Sequence, residues 1–320
     1  MTLSLIVPVY RNEANLSQLL STLAALEAEQ MPGRLELIFV VDGSPDRCYE
    51  ILREALPAFP VPSRLLLLTR NFGSFAAIRA GLEAGAGPFY AVMAADLQEP
   101  PELAARMHHV LQTDEADVVV GVREARQDPL LVRLSSRMFW SFYRRFVVPE
   151  MPPGGVDVFG CNRAFRDQLL QLCESHSSLI AQIFWLGYRR KTISYQRLAR
   201  KQGSSAWTLQ KRMVYLMDSI FSFTDLPIRL LVRIGGIGAI VSGLFGIAIL
   251  LAKVLNLIDV PGYAATMLAI IFFGTVNLAA LGIIGSYAWR AYENTKQRPL
   301  NIVLLAHAFQ RGDSHADGSR

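Results

Sequence analysis

The pattern of polar and apolar positions changes character along this chain. Over the first two-thirds, short apolar runs alternate with segments whose apolar residues recur every three or four positions. Near the C-terminus, two stretches, 234–252 and 260–289, carry no charged residue at all. The runs at 3–9, 35–41, 64–69, 89–94 and 117–122 are bounded by turn residues and predict buried strands. Residues 15–29 place Leu16, Leu19, Leu20, Leu23 and Leu26 at helical spacing. Helices are also predicted over 46–55, 74–84 and 130–146, and from Pro100-Pro101 onward, where proline suits the first turn. Extended patterns return at 154–162 and 190–197. The strand–helix alternation predicts an α/β fold: a mostly parallel, Rossmann-like sheet with helices on both faces. In such sheets ligands gather at the carboxyl ends of the strands, so the residues after each strand are the candidates for chemistry.

The two charge-free stretches predict a different environment. About 20 apolar residues at ~1.5 Å rise span the ~30 Å core of a bilayer. Arg229 and Arg233 precede the first stretch, and Arg290, Lys296 and Arg298 follow the second. The connection between them holds only Lys253 against Asp259. By the positive-inside rule both ends of a multi-pass membrane protein lie on the cytoplasmic side. Segment 208–223 sets Lys211 and Arg212 against Met213, Tyr215, Leu216 and Ile220, a pattern suited to a helix in the bilayer interface. The resulting division is a cytoplasmic domain over 1–206, an interfacial amphipathic region over 207–229, two transmembrane helices within 230–290 (about 234–252 and 263–288), and a cytoplasmic tail over 291–320, disordered from Arg311. Gly238, Ser242 and Gly246, and Gly274, Gly282 and Ser286, are spaced for close packing of two membrane helices.

Composition narrows the chemistry. The net charge is +5, but the arginines flank the membrane stretches and follow the strands. That placement fits phosphates or an anionic leaflet and gives no nucleic-acid footprint. Cys48, Cys161 and Cys173 lack metal-ligand spacing and fit a reducing compartment. The five histidines show no such spacing either, and His108-His109 are expected to face solvent on a helix. There is no Ser-His-Asp arrangement and no P-loop, and residues 2–10 lack the basic start of a secretory leader.

The strand ends hold Pro8, Tyr10 and Glu13 after the first strand, Asp42 after the second, and Asp96 and Gln98 after the fourth. A carboxylate and an amide oxygen two residues apart can share a hard divalent cation, which would neutralise a diphosphate leaving group; the competing reading of Asp96 is a helix cap. Arg123 and Arg126 follow the fifth strand, with Arg133 and Arg137 on the next helix, placed either for phosphate recognition or as a solvated basic face. Arg197, Arg200, Lys201, Gly203, Ser204 and Ser205 form a second basic, hydroxyl-rich loop ahead of the interfacial segment.

Taken in order, IVPVYRNEANL (6–16), VVDGSPD (40–46), RNFGSFAAIRAGLEAG (70–85), ADLQEPPEL (95–103), GVREAR (121–126), PPGGVDVFGCNR (152–163), FWLGYRRKTISYQR (184–197), SFTDLPIRL (222–230) and GSYAWRAYENTKQRP (285–299) resemble family 2 glycosyltransferases. The closer resemblance is to the membrane-anchored polyprenyl-phosphate group, which contains dolichyl-phosphate mannose synthase and bacterial undecaprenyl-phosphate glycosyltransferases. It implies a GT-A type sheet domain and a nucleotide site at Pro8, Tyr10, Glu13, Asp42 and Arg70, with Asp42 on the base. It implies Mg²⁺ or Mn²⁺ at Asp96 and Gln98, catalytic phosphate contacts at Arg123 and Arg133, acceptor contacts at Ser136, Arg197, Arg200 and Ser205, and a further active-site carboxylate at Asp157. The implied reaction is inverting transfer of a sugar from a nucleotide sugar, a UDP-sugar first, to undecaprenyl or another polyprenyl phosphate, with association into a homo-oligomer such as a tetramer. Transfer to a glycan hydroxyl and a non-catalytic membrane homologue are the alternatives. The sequence departs from the family pattern at Val41 and Ala94, where carboxylates are usual, at Ala206-Trp207 in place of Lys-Tyr, and at Ser286 in place of Glu.

Overall fold

The computed structural model describes residues 2–124, 130–175, 177–198, 209–255 and 262–310. Strand β1 (Leu3–Val9) is followed by α1 (Leu16–Gln30), β2 (Leu35–Val41), α2 (Cys48–Ala55), β3 (Ser63–Leu68), α3 (Ser74–Ala84), β4 (Phe89–Val92), α4 (Glu102–Gln112) and β5 (Val118–Arg123). Next come α5 (Leu130–Phe146), β6 (Val158–Asn162), α6 (Arg163–Gln171), α7 (Leu179–Trp185), β7 (Arg190–Tyr195) and α8 (Leu209–Phe223). The long helices α9 (Leu226–Val254) and α10 (Tyr263–Thr295) and the strand β8 (Val303–Phe309) complete the order.

The eight strands form one sheet in the order β7-β5-β6-β4-β1-β2-β3-β8. β2 is buried along its whole length and β1 at all but one position, because both faces of the sheet are covered. The two-residue period of a strand then divides the apolar runs between two cores. Ile6, Ile38, Val40 and Leu66 pack with α3, α6 and α7 on one face. Leu5, Val7, Leu37, Phe39 and Leu65 pack with α1 and α2 on the other.

Pairings of β1 with β2 and β4, of β2 with β3, and of β5 with β7 are parallel. β6 lies antiparallel between β4 and β5, and β8 antiparallel to β3. Six strands therefore run the same way, and their carboxyl ends share one edge of the sheet with the start of β6. The periodicity reading contained neither α6 nor α7, although both are capped: the Asn162 side chain accepts from Phe165 N (2.9 Å) and Ser178 Oγ from Ala181 N (3.2 Å). Nor did it contain β8, which returns from α10 to pair Leu67 with Leu305. His108 is a correction. It is buried and packs edge-on against Phe89, because Ala104, His108 and Leu111 share the inner face of α4; His109 alone is exposed.

The start of β5 is tied to its neighbours by Asp117. Its carboxylate accepts from Asn162 Nδ2 (2.9 Å) and from Arg189 Nε (3.0 Å), Nη2 (3.0 Å) and backbone N (3.2 Å). The Arg189 hydrogen bonds hold its pKa below the usual carboxylate value. A depressed folded-state pKa adds stability above the unfolded value, near 3.8, and loses it as pH falls through the lower folded value. Asp117→Ala is expected to cost about 1–3 kcal/mol at neutral pH. In urea titrations of both proteins, the gap should narrow below pH 4.

Helices α9 and α10 are long and apolar enough to cross a membrane over Leu226–Ile249 and Phe272–Thr295. Leu244 and Phe245 on α9 are 64% and 67% exposed, and Leu278 on α10 is 71% exposed. A core helix would bury such side chains. Among the described residues, a Cβ built on Gly238, Gly246, Gly274 or Gly282 meets nothing within 4 Å, so no close seam of these glycines between the two helices is seen there. The helices join the sheet domain at a polar joint: Arg290 Nη2 donates to Asp218 Oδ1 on α8 (2.8 Å), Tyr287 Oη to Thr224 O (3.2 Å), and Ser175 Oγ to Asn294 Oδ1 (3.2 Å).

Candidate active site

The site is built on the carboxyl edge of the sheet, in two halves. The first comprises the loops after β1, β2 and β3. β1 outruns β4: its last β4 partner is Ile6, while Pro8 and Val9 still pair with β2. This leaves a notch beside Pro8, where a proline has no β4 bond to lose. Tyr10, at the rim, is 37% exposed. Arg11 N donates to Ser44 Oγ (2.8 Å), Glu13 N to Asp46 Oδ2 (3.2 Å), and Arg47 N back to Glu13 Oε2 (3.1 Å). These bonds clamp the first two loops together.

Asp42 is buried and accepts from Phe72 N (2.7 Å) and Gly73 N (2.9 Å), one bond to each carboxylate oxygen. Burial raises its pKa, against the opposing pull of those two N–H groups and Arg70. As placed, Asp42 pins the loop after β3, and a base would meet only its remaining lone pairs. Gly43 (φ +54°) lies directly against the Arg70–Asn71 peptide. Arg70 is exposed and stacks on Phe72, 4.1 Å from the ring centroid.

The second half centres on the turn after β4. Leu97 adopts φ +52°, a conformation costly for a residue with a Cβ and concentrated at functional sites. It folds the chain back so that Gln98 N donates to Asp96 Oδ1 (3.3 Å) and Ala94 N to Glu99 Oε2 (3.3 Å). Gln98 is buried, and its Oε1 accepts from the Arg197 guanidinium while its carbonyl accepts from Leu198 N (2.9 Å). Arg123, ending β5, meets Asp157 with both ends of its fork: Nε to Oδ2 at 3.1 Å and Nη2 to Oδ1 at 3.2 Å. Tyr195 Oη donates to Asp157 Oδ2 (2.9 Å).

Glu99 and Tyr195 are additions to the residues named from sequence. Glu99 is buried, and burial, then the charges of Asp96 and Asp157, push its pKa up to about 7, against the pull of Arg197. Burial and Asp157 push the Tyr195 phenol up as well. Along the edge the guanidinium groups of Arg197 and Arg123, at the ends of β7 and β5, thus give way to the carboxylates of Asp157, Asp96 and Glu99, beside β6 and β4. Arg133 and Ser136 lie on α5 at positions whose side chains fall outside the described set, and Arg200 and Ser205 lie outside the described residues altogether.

Among the described residues no three His, Cys, Asp or Glu side chains form a metal-binding group. The Gln98 oxygen is engaged by Arg197. Asp96, whose Oδ1 accepts from Gln98 N, is a hard carboxylate at this turn, and a single such group suits a cation that takes most of its ligands from water and substrate phosphates.

The model of the family described as glycosyl transferase family 2 matches residues 4–172, which covers the sheet through β6 and α6. The chain belongs to glycosyl transferase family 2. Relatives match along nearly their whole length. An uncharacterized glycosyltransferase of Synechocystis is 32% identical over 311 residues, 94% of each chain. The bactoprenol glucosyl transferase of Shigella phage SfX is 29% identical over 95% of this chain and 99% of its own. The undecaprenyl-phosphate 4-deoxy-4-formamido-L-arabinose transferase of Edwardsiella ictaluri is 32% identical over 94% of this chain and 92% of its own. As a family 2 glycosyltransferase the chain has the mixed, mostly parallel, GT-A type sheet that the sequence resemblance implied, and the carboxyl edge described above is its candidate active site.

Proposed function

We propose that this glycosyltransferase moves a sugar from a nucleotide-sugar donor, a UDP-sugar first, to a polyprenyl phosphate at the cytoplasmic face of a membrane, with inversion at the anomeric carbon. The observation that carries the reading is one sheet edge holding Asp96, Glu99, Arg123, Asp157 and Arg197 in a chain that also carries two exposed apolar helices. Two relatives, named for transfer to bactoprenol and undecaprenyl phosphate, support the acceptor class.

The chemistry follows from the acceptor. A phosphate monoester has a second pKa near 6, so at neutral pH it attacks without surrendering a proton. The enzyme needs in-line positioning of two anions and stabilisation of the departing diphosphate. Transfer to a sugar hydroxyl would require a general base. Asp157 is committed to Arg123 and Tyr195, so for that alternative Glu99 rather than Asp157 would be the candidate base. In the proposed arrangement Asp96 would hold Mg²⁺ or Mn²⁺, which supplies charge neutralisation on the diphosphate. The loops around Tyr10, Glu13, Asp42 and Arg70 frame the nucleoside. Arg123, Arg197 and, by sequence, Arg133, Ser136, Arg200 and Ser205 serve the phosphates. Helices α9 and α10 cross the inner membrane and fix the height of this edge.

Isothermal titration of the full chain in nanodiscs with UDP, with and without Mn²⁺, tests the donor half. The reading predicts saturable UDP binding that tightens with Mn²⁺ in the native protein and loses that tightening in Asp96→Ala. Absence of saturable UDP binding under both conditions contradicts it.

A further inference from the structure

We infer that the Tyr195 hydroxyl is a positioning group for the donor diphosphate: through Asp157 it aims the Arg123 guanidinium. The inference rests on the proposed donor reading and deepens it. Arg123 and Tyr195 stand opposite each other at the ends of β5 and β7, so their side chains leave the same face of the sheet. Glu124 N donates to Tyr195 O (2.9 Å) and closes the pair. Asp157 is brought to the same place by its own N–H, which donates to Gly121 O (3.4 Å). Three separate segments of chain therefore meet in one short run of side chains.

The contact geometry gives that run a direction. Asp157 takes Arg123 side-on, with Nε on Oδ2 and Nη2 on Oδ1. A guanidinium presents its N–H donors in a fixed planar fork. Side-on pairing therefore turns the other edge, Nη1 with the outer N–H of Nη2, away from the carboxylate. That edge can meet phosphate oxygens bidentately, and its aim follows the plane of the Asp157 carboxylate. The arginine and the carboxylate are both partly exposed, at 27% and 23%, so their mutual bonds alone would let them swing as a pair. Tyr195 supplies a bond from outside the pair, Oη to Oδ2 at 2.9 Å. Its ring is 2% exposed and belongs to the cluster of Leu103, Met107, Val158 and Ile193. The donor that fixes the carboxylate is thus anchored in the core. Deleting the hydroxyl leaves the ion pair intact and frees it to turn, and a misplacement of about 1 Å in a positioned group can cost on the order of 10²-fold.

Nucleotide binding by Tyr195→Phe tests this in the full chain in nanodiscs with Mn²⁺. UDP is followed by isothermal titration, and uridine, which carries no phosphate, by saturation-transfer NMR. The substitution keeps the buried ring and deletes only the hydroxyl, and thermal melts set a temperature at which every variant is folded. The expected result is a UDP Kd weakened about tenfold, with uridine unchanged within about twofold. In an Arg123→Gln background the same substitution should change UDP binding by less than about twofold, because Tyr195 acts through that arginine. Equal weakening of UDP and uridine overturns the inference, since the hydroxyl would then shape the pocket as a whole. Equal weakening of UDP in the native and Arg123→Gln backgrounds, or no weakening in the native one, overturns it too. All three outcomes leave the donor reading standing. A native chain that binds no UDP overturns that reading and the inference with it.

Discussion

Asp96→Asn should reduce sugar transfer by about 10²- to 10³-fold, the loss seen when one preorganised electrostatic contact to a developing charge is removed. The substitution keeps the size of the side chain and the Oδ1 that accepts from Gln98 N, so the turn survives while the negative charge is lost. In the proposed arrangement Asp96 is the carboxylate that would bring a cation to the diphosphate, since Ala94 and Val41 stand where the family pattern has further carboxylates. The effect should fall on kcat, with a smaller change in the KM for the lipid acceptor, because the contact gains strength as charge moves onto the leaving group. Steady-state kinetics at saturating donor and divalent cation, with a thermal melt to verify folding, check this. A loss below about tenfold would move the diphosphate contact from Asp96 to the arginines.

Gly43→Ala should be the most damaging small substitution to the fold. At φ +54° an added Cβ falls 2.3 Å from the Arg70 carbonyl carbon and 2.5 Å from Asn71 N. Both are backbone atoms and cannot swing aside as a side chain would. The loop after β3 must then move, and with it the Phe72 and Gly73 N–H groups that Asp42 holds. Strain of this kind costs about 2–4 kcal/mol, and in a domain of roughly 200 residues each kcal/mol lowers Tm by about 2–4 °C. Thermal unfolding followed by circular dichroism should show a fall of about 5–15 °C, with weakened nucleotide binding even below the transition. Gly33, also at positive φ but with no atom within 4 Å of its added Cβ, is the control: Gly33→Ala carries only the backbone term. Equal melting of the two variants would remove the packing argument.

The strands that carry the site were legible because burial on both faces leaves unbroken apolar runs, as in LELIFVV of β2. Strand direction was not. Nothing local in Val158–Asn162 tells it to insert antiparallel between β4 and β5. β8 finds its partner across some 240 residues of chain, and a seven-residue apolar run after a membrane helix has no periodicity of its own to announce that. His108 read as polar but sits on the inner face of α4, where the helix geometry outweighed the residue type.

At the site, Asp96, Asp157, Arg123 and Arg197 were named from strand ends and motif positions. What the sequence did not carry is who holds whom. Gln98 meets Arg197 from 99 residues away, and Tyr195 reaches Asp157 from the end of β7. Glu99 lay within the quoted ADLQEPPEL segment, and its return to Ala94 N follows the positive φ at Leu97, which composition does not reveal.

The central claim is that this edge transfers a sugar to a lipid phosphate. Its most direct measurement is incubation of the purified full chain in nanodiscs with undecaprenyl phosphate, Mn²⁺ and a panel of radiolabelled nucleotide sugars. The account predicts that one donor yields an organic-extractable, mild-acid-labile lipid-linked sugar, dependent on undecaprenyl phosphate and lost in Asp96→Asn. Label that enters no lipid with any donor of the panel, from protein that binds UDP, would contradict it.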